Sequence, residues 1–321
     1  MTRRMTLSGT GRRCLGVGVA AVAAIMAWPL AAQEDLHVLP AQGSVHMIAT
    51  PTGNIAVQVG PEGPLVVDTL PASMSTRVLD TVRTLTPRPL RHVVLTGGGE
   101  HQAGGAANLS KAGRYVRLID ANDPRGADAR ASIIAHVNVL NRMSAAGVPG
   151  DSWPTDTYFT RDWAIFSNGE AVRFIHAPNA ASDGDTIVFF RRSDVIVTGA
   201  FFDTTAYPRF DPAVGGSVQG VIDGLNMVLD LAIPGENQEG GTVIIPGRGR
   251  LSDETDIANY RDMVTIVRDR IRDMVNKGLS LDQVRAAGVA SDYDGIYDGR
   301  SDWTSGQFVE AVYQDLMRSG R

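Results

Sequence analysis

The chain has 321 residues, 43% hydrophobic and 20% charged, the make-up of an ordinary globular protein that fills one large or two modest domains. Residues 1–32 hold four arginines, no acidic residue and the only cysteine, Cys14, so the chain beyond them carries 26 basic against 35 acidic residues, a net of −9. That balance argues against nucleic acid or an anionic membrane surface as a partner, and a chain without cysteine has no disulfide, thiol nucleophile or thiolate-bound metal.

The first 32 residues read as a secretory signal. "MTRRMTLSGTGRRC" is basic, "LGVGVAAVAAIMAW" is apolar and rich in Ala and Gly, and "PLAAQED" offers small residues for cleavage near Ala32 or Gln33. The apolar stretch from Leu15 to Ala32 is near the lower length limit for a spanning helix, but its small-residue end favours cleavage over an anchor. Arg12 and Arg13 make a weak match to a twin-arginine signal. The expectation is a bacterial protein exported to the periplasm or medium, with no membrane attachment after cleavage.

Past the signal, "VHMIA" and "NIAVQVGPEGPLVVDT" are β-rich runs, the second folding as a hairpin about Gly-Pro-Glu-Gly. Met74, Val78, Val82 and Leu85 at helical spacing predict a helix over 72–86, stopped by Pro87 and Pro89. "LRHVVL" is a strand, "TGGGEHQAGG" a glycine loop and "GAANLSKAG" a helix. "YVRLIDAND" reads as a strand and "DARASIIAHVNVLNRMSAAG", residues 128–147, as a helix ended by Gly147. "WAIFSNGEAVRFIHAP" is a hairpin on Asn168-Gly169, "DTIVFF" and "DVIVTGAFF" are strands, and "GGSVQGVIDGLNMVLDLA" is a helix capped by Ser217. "TVIIPGRGR" is a buried strand, and from about residue 254 the chain is helical.

Two such series of strands and helices predict an α/β protein, a four-layer αββα sandwich in one domain spanning residues 33–321, with a helical C-terminal tail. No short-period repeat or Pro/Ser-rich linker divides it.

The landmarks "PLVVDT", "LTGGGEHQAGGAANL", "HAPNAASDGDTIVFF", "DVIVTGAFF", "DPAVGGS" and "VIIPGRGR" resemble, in order and approximate spacing, the metallo-β-lactamase superfamily over about residues 44–317. Segments of the type "IIAHVNVLNRM" and "WPTDTYF" resemble its secreted hydrolases. The resemblance implies a metal centre, usually zinc, held by histidines and aspartates on loops at one rim, where the cation lowers the pKa of a bound water. It also implies that the first four ligands are His-x-His-x-Asp-His, after a threonine and before x-Gly-Gly.

With Thr96 and Gly104-Gly105 as anchors, the resemblance puts those four positions at Gly97, Gly99, His101 and Gln102. The later ligand histidine falls on Ala181, the bridging aspartate on Ala200 and the last histidine on Arg248. All seven ligand positions are changed while the residues framing them are kept, so no metal and no cofactor is expected.

Candidate ligand contacts are His101, Gln102, Asp183, Arg248 and Tyr207. A guanidinium at Arg248 repels a divalent cation and attracts a carboxylate or phosphate; alternatively it fills vacated space and pairs with Asp183, Asp185 or Asp253. Phe201, Phe202, Tyr207 and Phe210 either grip an apolar ligand or belong to the core. His92, His136 and His176 read as structural histidines, and Asp183 with Asp185 as residues ordering a turn.

Three functions follow. The leading one is a non-catalytic pseudoenzyme whose cleft binds a small anionic or amphipathic ligand or a partner. The second is a metal-independent hydrolase of esters or lactones with His101 as base, Gln102 as oxyanion donor and Arg248 as anion clamp. The third is a zinc hydrolase with relocated ligands such as Glu100, His101 and Asp183.

Overall fold

The computed structural model describes residues 36–114 and 130–320. The signal expected over residues 1–32 and the strand expected at "YVRLIDAND" lie outside the described residues.

Strands β1 (His37–Gln42), β2 (Val45–Ala49), β3 (Asn54–Gln58) and β4 (Leu65–Val67) pair antiparallel in sequence order, β3 and β4 forming the hairpin expected about Gly60–Gly63. β1 was not legible in the sequence. It contains Pro40 and sits at the sheet edge, where a missing N–H costs no ladder bond.

From β4 the sheet becomes parallel. Helix α1 (Ser75–Leu85) crosses to β5 (His92–Val94); the short helices α2 (Glu100–Ala103) and α3 (Ala106–Ala112) follow, then β6 (Ser132–His136), α4 (Val137–Ala145) and β7 (Asp156–Tyr158). Among the described residues this sheet has seven strands in the order β1 to β7. The helix expected over 128–147 is corrected here: it starts only at Val137. Ser132–His136 is instead a fully buried strand between β5 and β7. A short apolar run fits helical and strand periods equally, and pairing on both sides decides it.

The second sheet runs β12–β11–β10–β9–β8, from β8 (Asp162–Ser167), β9 (Glu170–His176), β10 (Thr186–Phe190), β11 (Val195–Asp203) and β12 (Val243–Arg248). The β8–β9 turn uses Asn168 at φ 51° and Gly169 at φ 85°, the backbone a two-residue hairpin requires. β11 and β12 are parallel, joined through α5 (Val218–Leu231), whose cap Ser217 accepts from Gly220 N at 2.9 Å. The tail is α6 (Glu254–Asn276), α7 (Leu281–Ala286), α8 (Asp294–Tyr297) and α9 (Ser305–Ser319).

Three apolar layers hold these parts together. Met47, Val67, Val94, Phe174, Val188 and Ile245 fill the space between the sheets. Val78 and Val82 of α1, Leu109 of α3 and Val139 of α4 pack on the first sheet's outer face. Val221 and Leu225 of α5, Val264 of α6 and Phe308 of α9 cover the second sheet. The architecture is therefore the expected αββα sandwich, and the tail helices belong to its outer layer.

Candidate functional site

The loops that leave β2, β5, β9, β11 and β12 meet at one rim of the sandwich, beyond the carboxyl ends of the parallel strands, where open α/β sheets place ligands. They enclose a cleft of about 850 Å³. Gly97, Gly99, His101, Gln102, Ala181, Ala200 and Arg248 all line it, although the first and last lie 151 positions apart in sequence.

The donors at those seven positions do not suit a divalent cation. Gly97, Gly99, Ala181 and Ala200 offer no side-chain ligand, Arg248 brings a positive charge, and His101 and Gln102 contribute one imidazole and one neutral amide. The space beside the glycines is already occupied. A Cβ on Gly97 would stand 3.2 Å from Asp185 Oδ1, and one on Gly99 would collide with Gln102 Oε1, so the Gln102 amide folds into the place of a side chain at 99. Among the described residues, no three His, Cys, Asp or Glu side chains come together as a metal-holding group.

His101 is anchored through its backbone, its carbonyl accepting from Leu70 N at 2.8 Å. Leu70 takes φ 58° and Asp68 φ 66°, so the β4 exit turns sharply under the glycine loop. There Asp68 accepts from Thr96 N at 2.8 Å and from Thr96 Oγ1 at 2.7 Å. Burial pushes the Asp68 carboxyl up to about 7 against the pull of those bonds. Asp185 lines the cleft and accepts from Ser182 N at 2.5 Å. Burial pushes it up to about 7 as well, with the charge of Asp68 adding to the rise. Asp185 thus stands in the cleft wall, and Asp68 lies behind it under the glycine loop, bonded to Thr96. Sequence reasoning saw Asp185 only as a turn residue and missed Asp68; the available signal was an acid placed directly after the buried run of "PLVVDT".

Asp183 is not on the wall. Its carboxylate accepts from Arg142 Nε at 2.6 Å, and it is Arg142, carried by α4, that faces the cleft. Tyr207 does line the cleft, yet its hydroxyl is committed to Ala290 O at 3.0 Å and Asp294 Oδ1 at 2.7 Å, leaving the ring as its contribution. Phe202, Tyr207 and Phe210 border it, yet like Phe201 they are buried members of the core cluster behind the wall. Of the acids weighed as Arg248 partners, Asp253 caps α6 by accepting from Asp256 N.

His92, His136 and His176 hold structural contacts. His92 bonds Ser132 Oγ at 2.7 Å, and burial with the Arg91 charge holds it down to about 4. His136, expected on a helix, ends β6, caps α4 and stacks on His176 at 3.8 Å. Burial and the neighbouring His176 hold it down to about 4. The wall also includes Arg300, Asp302 and Trp303 from the segment between α8 and α9, which sequence reading did not connect to the site.

No family model matches the chain, and no curated protein matches it. Solved structures do. The inverting sec-alkylsulfatase Pisa1 from Pseudomonas sp. superposes with TM-score 0.66 at 14% identity, over 87% of this chain and 50% of that one. The chain therefore spans about half the length of that alkylsulfatase. A metallo-β-lactamase from Pontibacter korlensis superposes with TM-score 0.55 at 12% identity, over 72% of this chain and 99% of that one. The DIM-1 metallo-β-lactamase gives TM-score 0.55 at 13% identity, over 73% and 99%. At these identities the likeness establishes the fold: this chain has the metallo-β-lactamase fold.

Proposed function

We propose that this protein is an exported, non-catalytic member of the metallo-β-lactamase fold, whose rim cleft binds a small amphipathic or anionic ligand. One observation carries the reading: the seven positions where the fold's metal ligands are expected all face one cleft, and they supply a single imidazole among glycines, alanines, an amide and a guanidinium. Fold by itself does not carry the hydrolase function. The walls suit a ligand with an apolar body, against the edges that Phe202, Phe210 and Tyr207 leave at the wall, and a negative group, through Arg248.

The second reading, metal-free hydrolysis, draws on His101, Gln102 and Arg248 lining the same cleft. The relocated zinc set draws less, because the Asp183 carboxylate is engaged by Arg142.

The discriminating experiment measures metal content by plasma mass spectrometry on untagged, signal-cleaved protein, with zinc titration followed by thermal shift. Turnover is assayed on ester, lactone, thioester, β-lactam and secondary alkyl sulfate substrates, the last two chosen from the activities named for the similar structures. The expected outcome is sub-stoichiometric zinc, no shift and no turnover above background. Turnover that falls by orders of magnitude in His101→Ala establishes the metal-free hydrolase instead, and one or two zinc ions per chain returns the metallohydrolase.

A further inference from the structure

An exposed edge strand presents unpaired main-chain N–H and C=O groups, a template for pairing with another chain, and folded proteins usually blunt it. Among the described residues the sandwich has four edges, β1 and β7 in the first sheet, β12 and β8 in the second. Three of them are protected. β1 holds Pro40 and a register shift between Pro40 and Gln42. β7 is only three residues long. The free side of β12 is covered by Ser252, which exchanges main-chain bonds with Ile244 at 2.8 and 2.9 Å.

β8 carries no such device. Its sequence "DWAIFS" has no Pro, Gly or Lys, and it pairs with β9 in unbroken register from Asp162–Ile175 to Ser167–Glu170. Its one charge, Asp162, is neutralised by Arg173 of β9. The two-residue turn makes Ser167–Glu170 a hydrogen-bonded pair, and alternation along the ladder makes Ile165–Val172 and Trp163–Phe174 the next ones. The main-chain groups of Asp162, Ala164 and Phe166 therefore point away from β9. Their side chains are exposed too, Phe166 at 69%, and Phe159 just ahead of the strand is 81% exposed. Large aromatic side chains beside an unprotected edge mark an interaction surface.

We infer that β8 pairs antiparallel with β8 of a second copy of this chain about a two-fold axis at Ala164, joining the two second sheets edge to edge. The order of residues in the strand selects this occupant, because an isologous contact sets each residue against its mirror position. An axis at Ala164 puts the smallest side chain of the strand against itself and pairs the outward main-chain groups of Asp162, Ala164 and Phe166 in both copies. Phe166 then faces Asp162 of the second copy, whose charge Arg173 already holds. Trp163 and Ile165, which pack on the layer between the sheets, face Ile165 and Trp163 of the second copy, so that apolar layer continues across the axis. An axis at Asp162 opposes two carboxylates, and one at Ile165 or Phe166 runs the strand into the Asn168-Gly169 turn. The inference is independent of what the cleft binds.

The test is sedimentation velocity on signal-cleaved protein from about 1 to about 200 µM, the range in which a small interface is populated. Ala164→Lys and Ala164→Glu each set like charges against themselves on the axis, at an exposed position that leaves the monomer's packing untouched. Circular dichroism checks that both are folded. Ala164→Pro, which removes an N–H that β9 does not use, takes the place of either one that is not. The expected result is a wild type that passes from monomer to dimer as concentration rises, single variants that stay monomeric, and an equimolar mixture of Ala164→Lys with Ala164→Glu that regains the dimer. A wild type monomeric throughout overturns the second copy as occupant and points to an extended segment of another protein instead. A dimer unchanged in the variants overturns β8 as its surface, and a Lys/Glu mixture that stays monomeric overturns the axis at Ala164.

Discussion

At the scale of single residues, Asp185 in the cleft wall and Asp68 behind it are the carboxyls whose charge burial controls. Both are buried, at 3% exposure each, and both are held up to about 7, chiefly by burial. A carboxyl with an unfolded value of 3.8 and a folded value near 7 binds its proton in the folded state across that interval. Stability from such a group is present at the acid end of the interval and is lost as pH rises through it. Asp185→Asn keeps the shape and removes the titration. Its thermal midpoint should match wild type near pH 4 and exceed it by several degrees at pH 8, measured by scanning calorimetry as a difference curve across that range. A difference independent of pH would mean that Asp185 is ionised throughout in the folded protein. His92 and His136 have the opposite sign: depressed to about 4 from 6.5, they cost stability as pH falls through that interval. The difference curve isolates Asp185 from them. At this scale the sequence was legible where a residue type is its own signal, as with glycine at 97 and 99. It was silent on Asp68, because an acid after an apolar run becomes a buried carboxyl only when another loop folds over it.

The elements that carry the site were mostly readable, for reasons that are local. Ser217 before an apolar helical run is a cap by its own hydrogen bond. Ser217→Ala should cost about 1 kcal/mol in urea denaturation, a loss that would be absent if solvent or a neighbour replaced the bond. Asn168-Gly169 fixes its hairpin through two positive φ values that few other pairs adopt. The failure at Ser132–His136 has the converse cause. "SIIAH" has no turn chemistry and no distinctive period, and its five buried residues become a strand because β5 and β7 each offer a parallel edge. That strand sets where α4 begins, and α4 delivers Arg142 to the cleft.

At the scale of the whole molecule, the helical tail is an integral layer and a wall of the site. Phe308 of α9 is fully buried and stacks on Tyr207 at 4.8 Å, so the tail's core contact and the cleft's aromatic wall are one piece of packing. Phe308→Ala should cost about 3–5 kcal/mol and weaken binding of 1-anilinonaphthalene-8-sulfonate in the cleft. A small loss of stability with binding intact would mean that α9 is an accessory. By itself the sequence determined the two series of strands and helices, the glycine-rich rim loop and the chemical poverty of the expected ligand positions, because periodicity, turn residues and missing side chains are properties of the chain's local order. Only the tertiary structure decided that positions 97 to 248 face one cleft, that Asp185 joins them in its wall, and that Arg300 and Trp303 close its side. Those facts depend on which surfaces are buried against one another, and burial is a property of the packed whole that no single segment encodes.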